Sequence, residues 1–261
     1  MTNHGDRKMV EAFGICYAVR IGNMTLPVLD SVDFFAKQGE IVSIVGPSGC
    51  GKSTLLSIIA GLIEPDTGTL SVRGAQDDKV GGRTGYMQQK DLLLPWRNVL
   101  DNVILGLEIQ GVPKSLARKR ATCHLDEFGL VGFENEYPYA LSGGMKQRAA
   151  FLRTILTDAD VLLLDEPFSA LDALNRTQLQ EWLLNLLEAF REKAVVIVTH
   201  DVEEALFLSD RLYVMSSRPG TIQMVENMWL ERPRKRNIVD TPEFVNMKSR
   251  ILSHLLGIEL T

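Results

Sequence analysis

Apolar runs recur along the chain at Ile41–Val45, Val161–Leu164, Val195–Val198 and Leu212–Met215. Each is short and rich in β-branched residues or leucine, which suits strands covered on both faces of a parallel sheet. Helical spacing separates them. Leu179, Trp182, Leu183, Leu186, Leu187 and Phe190 fall on one helix face ahead of the Val195 strand. The alternation predicts an α/β layered fold with a mostly parallel core sheet. Ahead of it, Glu11–Val19, Val28–Ala36 and Thr69–Arg73 read as strands without intervening helices, an antiparallel sheet flanking the first core strand. Leu100 to Thr157 is helix-rich, broken at Gly111–Pro113 and Tyr137-Pro138, and follows the turn-prone Gln88–Pro95; it is a candidate subdomain. Glu226–Thr241 mixes proline and arginine and reads as a loop before a short terminal helix.

A chain of 261 residues holds one to two domains at ~150 residues each. With 45% hydrophobic residues it can bury a large core without disulfides. Its 28 Lys+Arg against 33 Asp+Glu leave −5, which disfavours a protein that wraps nucleic acid. Cys16, Cys50 and Cys123 form no CxxC, and with His4, His124, His200 and His254 they offer no zinc-like spacing. Sparse cysteines fit a reducing compartment. The first residues lack a signal-peptide core, and no apolar stretch approaches ~18 residues. The expectation is a soluble protein that reaches a membrane only through a partner.

Gly46-Pro47-Ser48-Gly49-Cys50-Gly51-Lys52-Ser53 satisfies G-x-x-x-x-G-K-[ST] between the strand Ile41–Val45 and the apolar helix Thr54–Ala60. Glycines let backbone amides converge on phosphate oxygens, and the helix N-terminus adds positive potential. Lys52 is placed for the β- and γ-phosphates and the Ser53 hydroxyl for Mg²⁺. Cys50 reads as a small filler, with a thiol that local positive potential would acidify. Val161–Leu164 runs into Asp165-Glu166-Pro167, and adjacent strand carboxylates point apart. Asp165 is thereby suited to a metal's hydration shell and Glu166 to an attacking water, although two acids at a strand end also suit a solvated turn. Ser142 is a good helix N-cap, and Gly143-Gly144 leave the amides open to an anion; alone, this segment is also just a capped helix.

The phosphate loop, Leu141-Ser-Gly-Gly-Met145, Leu162-Leu-Leu-Asp-Glu-Pro167, Ser169-Ala-Leu-Asp172 and Thr199-His200-Asp201 together resemble the ATP-binding cassette ATPases. The resemblance covers almost the whole chain. It implies a P-loop NTPase fold in a single domain over 1–261, with a RecA-like core at about 1–88 and 158–225. A helical subdomain at about 89–157 and a C-terminal extension at about 226–261 complete it. It also implies a head-to-tail dimer, each ATP held between the loop (Gly46 to Thr54) of one subunit and Ser142–Gly144 of the other. By matching position, Gln89 resembles the glutamine that senses Mg²⁺ and the γ-phosphate, Glu166 the general base, His200 the switch histidine, and Asp172 a residue crossing the dimer interface. Tyr17 is the candidate for the aromatic stacked on adenine, or else a plain strand residue. Met145 stands where glutamine is more usual.

Leu93-Leu-Pro-Trp-Arg-x-Val-x-x-Asn-Val103 is similar to bacterial importers of nitrate, taurine, aliphatic sulfonates and pyrimidine thiamine precursors. The segments Pro233-Arg-Lys-Arg236 and Thr241-Pro-Glu-Phe244 share that likeness. The apolar cluster around Trp96 reads either as packing under the helical subdomain or as a groove for a transmembrane subunit. The basic run Arg232–Arg236 reads as a solvated loop, with contact to acidic lipid as the alternative. The resemblance thus implies the ATPase subunit of an importer at the cytoplasmic face of the membrane. Its partners would be integral-membrane permease subunits and, indirectly, a solute-binding protein, with no nucleic acid. A soluble cassette acting on nucleic acid or the ribosome, and an exporter cassette, are the alternatives.

Overall fold

The computed structural model describes residues 7–73, 75–76, 84–189, 192–228, 230, 232 and 234–257, without the side chains of 186–189. In chain order the elements are β1 (Lys8–Ile21), β2 (Met24–Lys37), β3 (Ile41–Val45), α1 (Lys52–Ile59), β4 (Thr67–Val72), β5 (Ala75–Gln76) and β6 (Thr84–Met87). Then follow α2 (Val99–Val103), α3 (Leu105–Ile109), α4 (Lys114–Thr122), α5 (Gly143–Ile155), β7 (Val161–Asp165) and α6 (Ala173–Ala189). The chain continues with β8 (Ala194–Val198), α7 (Val202–Leu208), β9 (Arg211–Met215), β10 (Ile222–Asn227) and α8 (Pro242–Leu256).

The expected α/β architecture is present. One sheet runs β10-β9-β3-β8-β7-β6, parallel except for β10. The other, antiparallel, runs β2-β1-β4-β5. Every residue of β3, β7, β8 and β9 is buried, which is why these strands show no polar alternation. Their side chains alternate between two cores. Ile41, Leu162, Val195 and Leu212 pack with the helices of the α2–α7 side, whereas Val42, Val161, Val196 and Tyr213 pack with α1 and the β1–β2 hairpin. On α6, Leu179 and Leu183 are buried as the spacing predicts. Phe190 and the side chains of Leu186 and Leu187 lie outside the described residues.

β6 and β10 are additions to the sequence reading. β6 has only four residues, two of them threonine and glycine, and β10 alternates between half-buried and exposed positions at the sheet edge. Neither carries a continuous apolar run, so periodicity leaves them silent. The basic run is a correction: it is not a solvated loop. The Arg234 side chain is fully buried and donates to the carbonyls of Leu230 and Phe207 and to Asp210. Arg232 also pairs with Asp210, and Arg236 with Glu203. Three guanidiniums thus staple the segment after β10 onto α7 and the turn before β9. Charge density in sequence is blind to such pairing.

Candidate functional site

β3 emerges at Gly46, and the loop turns into α1 through two left-handed glycines, Gly49 (φ 75°) and Gly51 (φ 111°). A Cβ on Gly51 would meet Leu29 Cδ2 at 2.7 Å, so strain and crowding both demand glycine there. Lys52 is buried, and its ammonium lies inside the loop, donating to the carbonyls of Gly46 (2.8 Å) and Pro47 (2.9 Å). Cys50 is buried beside it, 3.8 Å from Nζ. Two residues that sequence reading missed brace this loop. Arg218 Nε donates to the Gly49 carbonyl at 3.1 Å, and Gly220 approaches so closely that a Cβ there would lie 2.2 Å from the Cys50 oxygen.

Asp165, at the end of β7, is buried, with the Ser53 hydroxyl beside it. Burial pushes its carboxyl above the ordinary range, Glu166 beside it adds to the rise, and Ser53 and Lys52 oppose it. Glu166 takes the left-handed conformation (φ 49°), and its amide donates to the Val198 carbonyl. A non-glycine residue held there is a strain that surrounding structure must impose. That twist turns its carboxylate away from Asp165's partner and toward Gln89 and His200. Oε2 accepts from Gln89 Nε2 at 3.2 Å, and Oε1 lies 3.3 Å from His200 Nδ1. Gln89 and His200, more than a hundred positions apart, therefore meet at the one carboxylate of Glu166.

Gln147, two residues beyond Met145, was not singled out from sequence. Its amide donates to the Glu166 carbonyl (3.0 Å) and accepts from Ala170 N–H (2.8 Å), fixing the turn that carries Glu166. A buried polar residue on the inward face of α5 was the available signal. Ser142 caps α5, its hydroxyl accepting from Met145 N–H at 3.3 Å. Ser142, Gly143 and Asp172 are exposed, and nothing lies within 4 Å of a Cβ placed on Gly143. Asp172 accepts from the backbone and side chain of Asn175 at the start of α6, which holds its carboxyl below the usual range. Among the described residues, neither Ser142 nor Asp172 bonds to the loop of the same chain. Tyr17 is half-buried on β1 opposite Leu29, the residue that crowds Gly51.

Trp96 is 71% exposed. Its turn is rigid nonetheless: buried Asn102 accepts from Leu94 N–H and donates to the carbonyls of Leu94, Arg97 and Asn98. Arg153 on α5 holds the carbonyls of Asp91 and Leu92. Of the apolar cluster, Leu93 faces inward, while Trp96 and Leu92 face out.

A strand, a glycine loop closing on a helix, and an acidic strand end beside Ser53 of that helix define a P-loop nucleotide-hydrolysing cassette. A family profile described as ABC transporter matches residues 29–169. An uncharacterized ABC transporter ATP-binding protein of Methanocaldococcus jannaschii is 44% identical over 227 residues, 87% of this chain and 84% of that protein. The formylaminopyrimidine import ATP-binding protein ThiZ of Halalkalibacterium halodurans is 50% identical over 193 residues, 74% of this chain and 75% of its own. The taurine import ATP-binding protein TauB of Rhizobium johnstonii is 39% identical over 255 residues, 96% and 97% of the two chains. Among solved structures, the dimeric structure of a bacterial ABC transporter cassette is 30% identical with a TM-score of 0.78, covering 85% of this chain and 100% of that one. A dimeric post-hydrolysis state of that cassette bound to ADP and Pi gives 0.77. The chain belongs to the ABC transporter family, as one of its ATP-hydrolysing cassettes.

Proposed function

We propose that this protein is the ATPase subunit of an importer and energises uptake of a small solute of the nitrate, sulfonate or taurine, or thiamine-precursor type through separate membrane subunits. The observation that carries the hydrolytic part is the meeting of Gln89 and His200 on the Glu166 carboxylate, beside the loop that holds Lys52. ATP binds with its phosphates on the loop amides and Lys52. Glu166 orients and deprotonates the attacking water, His200 contacts the γ-phosphate, and Gln89 reports its presence. The Ser53 hydroxyl and the Asp165 carboxylate, side by side, are hard oxygen donors that fit Mg²⁺, with Gln89 completing the protein's share. When bound, Mg²⁺ would neutralise charge on the phosphates. Among the described residues no cluster of three acidic, histidine or cysteine ligands exists, which agrees with a metal held chiefly by nucleotide and water.

The importer reading draws on the named relatives and on Trp96. The taurine, sulfonate and formylaminopyrimidine import proteins align along most of the chain. No helix among the described residues is long and apolar enough to cross a membrane, so the membrane path would belong to other chains. Exposed Trp96 and Leu92 on a pinned turn supply a surface for them at the cytoplasmic face. A second copy completes each ATP site with Ser142–Gly144 and Asp172, and Tyr17 stacks on adenine. Copurification in detergent tests the assignment: an integral membrane partner is expected, and ribosomal RNA or DNA in its place overturns it. Mass spectrometry of ligand on the cognate solute-binding protein tests the solute class, and a sugar or peptide there overturns it.

A further inference from the structure

Buried polar side chains that the reaction above does not use lie directly behind His200. Thr199, Gln180 and Glu204 are 3%, 2% and 6% exposed, and they come from the end of β8, from α6 and from α7. Gln180 and Glu204 belong to one directed chain. Arg236, which can only donate, gives Nη1–H to Gln180 Oε1 at 3.0 Å, and this fixes the amide's orientation. Gln180 Nε2 then donates to Glu204 Oε2 at 3.1 Å. Thr199 lies beside the same carboxylate, and its hydroxyl accepts from Asp201 N–H at 3.1 Å. Thr199 and Asp201 flank His200, so these bonds clasp the turn that has the histidine at its tip. Asp201 completes the clasp by capping α7, accepting from the amides of Glu203 and Glu204. The His200 side chain is itself 63% exposed, so the turn rather than side-chain packing sets where the ring points. A cavity of about 30 Å³ between Glu166, Thr199, His200 and Glu204 joins the clasp to the catalytic carboxylate.

We propose that Glu204, Gln180 and Arg236 form a positioning relay that sets His200 against Glu166, so that the segment between β10 and α8 tunes ATP hydrolysis. The relay rests on the reading of His200 as the γ-phosphate contact. Arg236 is anchored independently by Glu203, which also pairs with Lys248 of α8, and by stacking on Phe207. Burial raises the Glu204 carboxyl to about 7, with Asp201 adding to the rise and Thr199, Arg176 and Gln180 opposing it. Only the ionised carboxylate accepts from Gln180 without placing a proton of its own, so the relay is complete on the alkaline side.

The test is steady-state ATP hydrolysis across pH for the parent, Glu204→Gln, Arg236→Ala, Arg236→Lys and His200→Ala, with ATP affinity measured on each. Glu204→Gln is expected to lower kcat roughly three- to tenfold, the loss of one misplaced hydrogen bond, and to leave the KM for ATP nearly unchanged. Its kcat should lack the rise near neutral pH expected of the parent, because the amide does not titrate. Arg236→Ala should lower kcat with the KM for ATP unchanged, thermal unfolding being measured alongside because Arg236 also pairs with Glu203, and Arg236→Lys should restore part of it. Parental kcat and pH profile in both Glu204→Gln and Arg236→Ala, with His200→Ala inactive, overturn the relay and leave the hydrolytic reading standing. Parental turnover in His200→Ala instead overturns that reading, and the relay with it.

Discussion

The two sides of the proposed nucleotide site are built in opposite ways. On the loop side, Lys52 and Asp165 are buried within their own chain, Lys52 bonded to loop carbonyls and Asp165 beside Ser53. On the other side, Ser142, Gly143 and Asp172 face solvent, and their bonds serve only their own helix caps. A side finished within one chain is preorganised and binds without rearrangement. A side with open amides and an exposed carboxylate is finished only when another surface meets it. The contrast therefore assigns binding to the first side and assembly to the second, and variants on each should separate the two properties.

The largest effect is expected from Lys52→Ala. Removing the one ammonium buried in the loop should reduce ATP binding to near loss while thermal unfolding stays cooperative; unchanged ATP affinity by titration calorimetry breaks the assignment. Next comes Glu166→Gln. The amide keeps the size of the carboxylate and its contact with His200 but does not accept a proton. Turnover should fall about 10²–10⁴-fold with ATP binding intact, and an ATP-bound dimer should accumulate on size exclusion. Phosphate release at the parental rate would move the base elsewhere. Ser142→Arg probes the open side: a large cation at the capped end of α5 should leave monomeric ATP affinity within about twofold yet prevent ATP-driven dimerisation. A smaller, transport-specific loss is expected from Trp96→Ala, with basal hydrolysis spared. Full transport with normal complex assembly would return Trp96 to a packing role.

The same contrast explains what the sequence made readable. Gly46–Ser53 and Asp165-Glu166 are contiguous, and their chemistry depends on local spacing along a strand, loop and helix. The convergence of Gln89 and His200 on Glu166 is not local. It depends on the register of β6, β7 and β8, and on the left-handed twist of Glu166. It was readable only through resemblance. Arg218 and Gly220 support the site by tertiary contact alone and leave no spacing to read, and Gln147 offers only its place on the inward face of α5. The arginines at 232, 234 and 236 show the converse failure. A charge run signals solvent unless the carboxylates of Asp210 and Glu203, distant in sequence, are known to face it.

Glu204 belongs to the buried side of this comparison and gives its quietest test, in stability rather than turnover. Its carboxyl has an ordinary value of 4.5 and is raised to about 7 by burial. Folding therefore favours the protonated form. The stabilising contribution is complete below 4.5 and is lost as pH climbs through about 7, a total of roughly 3 kcal/mol before neighbouring groups respond. Glu204→Gln holds a neutral group of the same size in the same place and escapes this loss. The variant should thus gain on the parent as pH rises from about 5 to about 8, whatever hydrogen bond it forfeits at every pH. Urea unfolding at those two values measures the change in the difference, which cancels the parallel contribution of buried Asp165. A difference that does not move with pH would mean that Glu204 is ionised in the folded protein as readily as in the unfolded chain. The acid side of the relay's pH profile would then need another titrating group.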